Sequence, residues 1–284
     1  MKISVMLSNL KLPFEEALDA VQSLDIPAVQ LSISPDDDAA KRRQMLDSVR
    51  RRGLEVSAIS VDLHDLGESE KAEESLDAVK PLLEIAAEMA NGICQTHVGV
   101  MPHTMKGARW ESFVRRAAAI AQEGEKVGAC LAMETGPEPP RVLERLLQTV
   151  DSPGLKINYD PANFIIWPAV FPKFPDIAAQ TEVEQPPYDR ETAFAEFEPV
   201  EGVKRLGPHI VHTHAKDGIG DGGWGDVPLG TGWVDWPRYL RLLKEAGYDG
   251  YLAIEREAGD DPVGEIGQAA RFLREQLSAL QATE

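Results

Sequence analysis

His212 and His214 stand two residues apart in the run IVHTHAKDG (210–218), and Lys216 follows at the same spacing. On an extended chain such residues share one face. Two imidazoles and an ammonium along one face cannot pack as apolar core, so this strand must end in a polar cleft. Three acids offer partners of suitable chemistry. Glu134 closes the apolar run CLAME, Asp160 closes LKINYD, and Glu255 closes YLAIE. A buried carboxylate needs a counter-charge, and for any one of these acids a lysine or arginine would serve as well as a metal. Four such residues at four successive strand ends favour one shared ion. Two glutamates, an aspartate and a histidine make a hard, oxygen-rich donor set. It suits a single divalent ion, Mn²⁺ first, with Mg²⁺, Co²⁺ or Zn²⁺ as alternatives.

The elements that must carry these residues alternate along the chain. Strand-like runs at 2–7, 28–33, 54–61, 93–99, 130–134, 155–160, 210–214 and 251–255 are separated by amphipathic, helix-like stretches. The second helix is expected to open at Ser34-Pro35-Asp36, with serine as its cap and proline in its first turn. Gly53, Gly128 and Gly247 mark helix ends. Strict strand–helix alternation means parallel strands with helical crossovers. Eight repeats in 284 residues predict an α/β fold, a (β/α)8 TIM barrel, as one domain spanning 1–284. No dinucleotide-binding glycine fingerprint or phosphate-binding loop follows the first strand. In a barrel of this kind function gathers at the C-terminal ends of the strands, where Glu134, Asp160, His214 and Glu255 all fall.

Residues 164–200 break the rhythm after strand six. This aromatic- and proline-rich insertion holds Phe164, Trp167, Phe171, Phe174, Tyr188, Phe194 and Phe197. It reads as a long irregular stretch, either a flap packed on the rim or another subunit, or a lid over the substrate. His97 shares a face with Gln95 and is expected to point to the barrel centre, as a substrate contact or a support for the ligands. His212, one layer below His214, is expected to support rather than ligate. Lys216 is expected at a substrate oxygen. Asn163, His64 near the end of strand three, and Trp167 complete the expected substrate contacts. Asp65 reads as a turn residue, and His103 and His209 as solvent-exposed.

Composition excludes some partners. Asp and Glu total 47 against 29 Lys and Arg, a formal charge of −18, which repels phosphodiester backbones. The two cysteines, Cys94 and Cys130, lie in strand-like runs and read as free buried thiols, consistent with a reducing, cytoplasmic setting. The opening MKISVMLSNL has too short an apolar run for a signal peptide, and no segment approaches the ~20 apolar residues of a membrane span. A small-molecule ligand, no nucleic acid, no membrane and a possible homo-oligomer are the expected partnerships.

Several motifs make the sequence recognisable: Asp160-Pro161-Ala162-Asn163, the run from Val211 to Gly218, Pro228-Leu229-Gly230-Thr231-Gly232, Asp235-Trp236 and Ile254-Glu255. With them the chain resembles the sugar phosphate isomerase/epimerase family of the xylose isomerase-like TIM-barrel superfamily. The resemblance implies Glu134, Asp160, His214 and Glu255 as metal ligands and a carbohydrate substrate. It implies a metal-dependent isomerase or epimerase acting on a ketose through an enediolate, with Glu134 and Glu255 as the acid–base pair. A lyase or dehydratase acting on a keto-sugar, inosose or oxidised glycoside through the same enolate is the alternative. A DNA-repair hydrolase of the same superfamily would be expected to carry a histidine where Asn163 stands.

Overall fold

Along each short strand apolar residues alternate with small or polar ones, so one face packs under helices while the other turns into a barrel. The protein is represented by a computed structural model that describes residues 1–34, 36–63, 65–67, 71–184, 189–221 and 224–282, with the backbone alone for 71–75. The strands are β1 (Lys2–Met6), β2 (Ala28–Ser32), β3 (Glu55–Ser60), β4 (Ile93–Thr96), β5 (Cys130–Glu134), β6 (Leu155–Tyr159), β7 (Ile210–Ala215), β8 (Asp217–Gly218), β9 (Asp226–Val227) and β10 (Tyr251–Ile254). Eight of them close a parallel barrel in the order β1-β10-β7-β6-β5-β4-β3-β2, while β8 and β9 pair as a separate antiparallel ribbon. The (β/α)8 expectation therefore holds.

The helices are α1 (Phe14–Ser23), α2 (Ala39–Arg51), α3 (Lys71–Met89), α4 (Gly107–Val127), α5 (Pro140–Val150), α6 (Asn163–Val170), α7 (Pro175–Gln180), α8 (Arg190–Thr192), α9 (Val203–Leu206), α10 (Trp236–Glu245) and α11 (Pro262–Ala282). Among the described residues no helix is long and apolar enough to cross a membrane. Helix α2 starts later than expected. Ser34 and Asp37 bond to each other's segment in a turn, and Asp38 accepts from the Lys41 amide at 2.7 Å as the true cap. Pro35, part of the expected start, lies outside the described residues.

The apolar core lies between the sheet and the helices, with Val5, Val29, Leu31, Ile59, Leu131 and Leu252 on the outward face of the strands and fully buried. Inside the barrel the filling is polar. The Ser4 and Ser57 hydroxyls lie 2.7 Å apart. His212 reaches Asn158 Oδ1 at 2.9 Å through Nδ1 and Ser57 Oγ at 3.3 Å through Nε2. Cys94 and Cys130 are free and buried, and burial pushes their thiols up to about 12 and about 11.

Residues 164–200 are not a wholly irregular stretch. They contain α6, α7, α8 and a π-helical turn at Ala193–Phe197. The prolines that suggested breaks are compatible with this, because Pro172 and Pro175 sit in first turns, where a missing N–H costs nothing. Phe164, Phe171 and Phe197 are buried in the core, whereas Phe174 is exposed. The segment docks on the loop after β4 and on the start of α4 of its own chain. Thr181 O accepts from the His103 amide at 2.7 Å, and Gln180 Oε1 accepts from Arg109 at 2.8 Å. Tyr188 lies outside the described residues.

Candidate metal centre

Parallel strands in one barrel end on one rim, so residues at strand ends meet there whatever their distance in sequence. Glu134 ends β5, Asp160 follows β6, His214 lies near the end of β7 and Glu255 follows β10. All four are buried, and each offers one ligand atom within 4.8 Å of the others.

His214 lies at the centre of this group. Its Nε2 meets Gln30 Oε1 at 3.0 Å, and since that oxygen can only accept, the ring nitrogen donates. The second ring nitrogen, Nδ1, faces the carboxylates, 3.1 Å from Glu134 Oε1 and 2.7 Å from Glu255 Oε2. One ring nitrogen cannot serve both. Glu255 Oε2 lacks a hydrogen bond among the described residues, as does Asp160 Oδ2. The other oxygen of Asp160 is occupied, accepting from the amides of Ala162 at 2.8 Å and Asn163 at 3.2 Å.

A relay of amides runs beneath the cluster. Gln30 Nε2 donates to Gln95 Oε1 at 3.1 Å, and Gln95 Nε2 donates to Glu134 Oε2. With the His214 contacts this closes a ring that fixes both the tautomer of the imidazole and the rotamer of Glu134, the usual task of groups behind a metal ligand. Sequence reasoning did not assign Gln30 or Gln95 a role. A partial signal was available, since each is the lone amide in its strand, at an inward-facing position.

Charge balance follows from burial and proximity. Burial is the largest influence on Glu134 and pushes it up, but the positive character of His97 and His214 outweighs it and holds the carboxyl below its ordinary range. Glu255 is likewise pushed up by burial and drawn well below its ordinary range by Lys216 and His214. For Asp160 burial wins, reinforced by the neighbouring glutamates against the pull of Lys216, and its carboxyl rises well above the usual value. Burial lowers His214, yet Glu255 and Glu134 more than compensate and raise it well above 6.5.

The residues present fit a hard divalent cation. Three carboxylates and an imidazole converge, two carboxylate oxygens lack a hydrogen bond among the described residues, and the donor set is oxygen-rich. Neutralisation by basic side chains is incomplete. Among the described residues, Lys216 is the only lysine or arginine within ion-pair distance of the four, at 3.6 Å from Glu255 Oε2, and its closer partner is Glu257 at 2.8 Å.

The remaining expected residues distribute around this centre. His97 lies just past β4 with its side chain 58% exposed, Nε2 3.3 Å from Glu134 Oε2. The Asn163 amide donates to Glu134 Oε1 at 2.9 Å and to Thr135 O at 3.0 Å, leaving its own oxygen without a partner among the described residues. Trp167 is half-buried, one helical turn beyond Asn163. His64 lies outside the described residues. His212 contacts the centre only ring-to-ring, 5.9 Å from His214.

Three expectations need correction. His103 is buried, not exposed, because the 164–200 segment covers it. Its Nε2 lies 3.2 Å from Pro137 O, and its ring packs edge-on to Phe197. His209 is partly buried. Asp65 does cap a turn, accepting from the Gly67 amide at 2.7 Å, but it also binds Arg109 at 2.5 Å. In the glycine-rich loop after β7, Asp217 accepts from the amides of Gly218, Gly230 and Val234 and from the Trp236 indole. Gly232 has to be glycine here, since a Cβ would lie 2.1 Å from Asp217 Oδ1.

The family model for xylose isomerase-like TIM barrels matches residues 18–276. The chain belongs to that family. Among curated relatives, the L-ribulose-5-phosphate 3-epimerase UlaE of Escherichia coli is 36% identical over 72 residues, and the match covers 25% of this chain and 25% of that protein. Among solved structures, a D-tagatose 3-epimerase-like protein superposes with a TM-score of 0.75 at 18% identity, covering 100% of this chain and 99% of that one. A xylose isomerase-like TIM-barrel protein from Mycobacterium smegmatis in complex with magnesium gives 0.68 at 17% identity, covering 98% and 97%. These likenesses make this family member similar in fold to sugar epimerases.

Proposed function

We propose that this xylose isomerase-like barrel is a divalent-metal-dependent isomerase or epimerase of a ketose or related small carbohydrate. The observation that carries the reading is the convergence of four buried donor atoms, with two carboxylate oxygens, Asp160 Oδ2 and Glu255 Oε2, lacking a hydrogen bond among the described residues. Glu134, Asp160, His214 and Glu255 would hold the ion, with Mn²⁺ favoured over Mg²⁺, Co²⁺ and Zn²⁺. When bound, such an ion supplies Lewis-acid polarisation of a substrate carbonyl and its neighbouring hydroxyl.

The protein's own residues then have to move a proton. Glu134 and Glu255 are the pair we assign to this. Both are held below their ordinary pKa, so each enters as a carboxylate able to accept. They belong to β5 and β10, which two other strands separate around the barrel, so they approach from different sides of the mouth. One removes the proton beside the carbonyl, giving an enediolate, and the other, once it has taken a proton from solvent, delivers that proton from its own side. The Gln95 and Asn163 amides, donating to Glu134, keep that carboxylate aimed inward. His97 and Lys216 are assigned to substrate oxygens from the rim. The epimerase activity named for the E. coli relative supports this substrate class.

The test is solvent deuterium incorporation beside the carbonyl across a broad panel of ketoses and ketose phosphates, read by NMR on metal-loaded protein. Exchange without change of mass beyond the label is the expected result. Loss of water or of an attached group would redirect the reading to a lyase. No exchange with any substrate would overturn it.

A further inference from the structure

Two lines of contact leave the candidate metal centre and meet at one place on the rim. The first runs from Glu134 to the Asn163 amide at 2.9 Å, and one turn along α6 to Trp167; residues four apart on a helix share a face. The second runs from Glu255 to Lys216 Nζ at 3.6 Å, which lies 5.9 Å from the centre of the Trp224 ring. Glu257 Oε2 ties this second line together, accepting from Lys216 at 2.8 Å and from the Trp224 indole at 3.2 Å. The two indoles meet edge to face, their centroids 5.5 Å apart and their planes at 87°.

Trp224 nevertheless remains 45% exposed. Among the described residues the other exposed large apolar side chains are Leu12, Phe174 and Val183, and none of these is joined to the centre by such a chain of contacts. An indole fixed by its N–H, braced by a second indole and still open on one side is a binding surface for another flat apolar face. The open-chain form of a ketose, from which a proton beside the carbonyl can be removed, offers hydroxyls and C–H edges but no such face. The ring must therefore be a separate part of the substrate.

We propose that Trp167 and Trp224 form a subsite for a ring substituent, aryl or glycosyl, carried by the substrate beyond its reacting carbons. The assignment rests on the carbohydrate reading of the centre and narrows it to ring-bearing sugars. Glu257 is a positioning residue in this arrangement, because it sets the indole and the Lys216 ammonium in register.

The test compares calorimetric affinities of the metal-replete full chain for methyl β-D-glucopyranoside, phenyl β-D-glucopyranoside and methyl β-cellobioside, which differ only in the group attached to a shared glucose ring. The wild type should bind one of the two extended probes about tenfold more tightly than the methyl glucoside, as a well-made aromatic contact provides. Which probe gains distinguishes an aryl from a glycosyl occupant. Trp224→Ala should bring the ratio close to one, and Trp224→Phe should restore most of it, with unchanged thermal unfolding showing that the fold is intact. Equal affinity of all three probes for the wild type, or a ratio untouched by Trp224→Ala, would overturn the subsite. Because binding is read without turnover, the two readings fail separately. A ring preference with no deuterium exchange on any ketose removes the isomerase and leaves the subsite, whereas exchange with no ring preference does the reverse.

Discussion

His212 and His214 occupy neighbouring layers of the barrel, on one strand and one face, and both are fully buried. Their surroundings drive them in opposite directions. His212 sits among neutral partners, Asn158 and Ser57. Burial, with the charge of His214 added, lowers it well below 6.5 and keeps it neutral. His214 faces two carboxylates that raise it well above the same value. The lower layer is a hydrogen-bonded plug. The upper one is a collection of charges with no complete internal solution. Burial alone therefore does not mark a reactive site; the imbalance of charge among buried groups does.

The sharpest way to break this contrast is to remove a charge from the upper layer. Glu134→Gln or Glu255→Gln should reduce solvent deuterium exchange by about a thousandfold, within the range assigned to a positioned acid or base. Elemental analysis after gel filtration would show whether metal was lost as well. Retained exchange in both variants would remove the pair from the mechanism.

The second test uses the proton on His214. A metal needs the lone pair on Nδ1, whereas the raised pKa keeps a proton there in the metal-free protein. Affinity for Mn²⁺ should therefore climb with pH, and binding should release at least one proton. Calorimetry in two buffers of different ionisation enthalpy reads this directly, and a buffer-independent enthalpy would contradict it. In the lower layer the same experiment should find nothing. His212→Asn should leave metal stoichiometry unchanged yet cost about 2 kcal/mol of stability, through a small cavity and the lost partner of Asn158 Oδ1, measured by urea unfolding.

How much of this was legible beforehand depends on how local the cause is. Strand ends carrying acids are visible because strand, acid and turn are adjacent in sequence, so Glu134, Asp160, His214 and Glu255 could be grouped without coordinates. The amide relay of Gln30 and Gln95 depends on which strands are neighbours across the mouth, and no single segment encodes that. His103 was misread for the same reason. Its immediate neighbours, Pro102 and Thr104, look like an exposed loop, and the segment that buries it arrives from residues 178–197.

His103 extends the comparison outside the barrel as a third buried imidazole, also neutral. Burial foremost, with the nearby Arg141 charge, lowers it to about 4. The unfolded chain thus takes up its proton first as pH falls. Stability from this group is full above pH ~6.5 and is lost towards pH 4. Between pH 7 and 5 the loss should be about 2 kcal/mol, and His103→Gln should flatten that part of the unfolding profile. The smallest effect is expected at His97. It touches Glu134 from the solvent side with most of its ring exposed, so His97→Gln should lower kcat/KM by about fivefold or less.

Asp160 uses one oxygen to hold the amides of Ala162 and Asn163 at the start of α6, and keeps the other for the cluster. For anyone grafting a different segment onto this scaffold, the cut has to fall beyond Asn163, since a join made earlier would loosen the carboxylate cluster along with the segment. Selectivity can be redesigned downstream of that point while the four-residue hinge Asp160–Asn163 passes unchanged from parent to chimera.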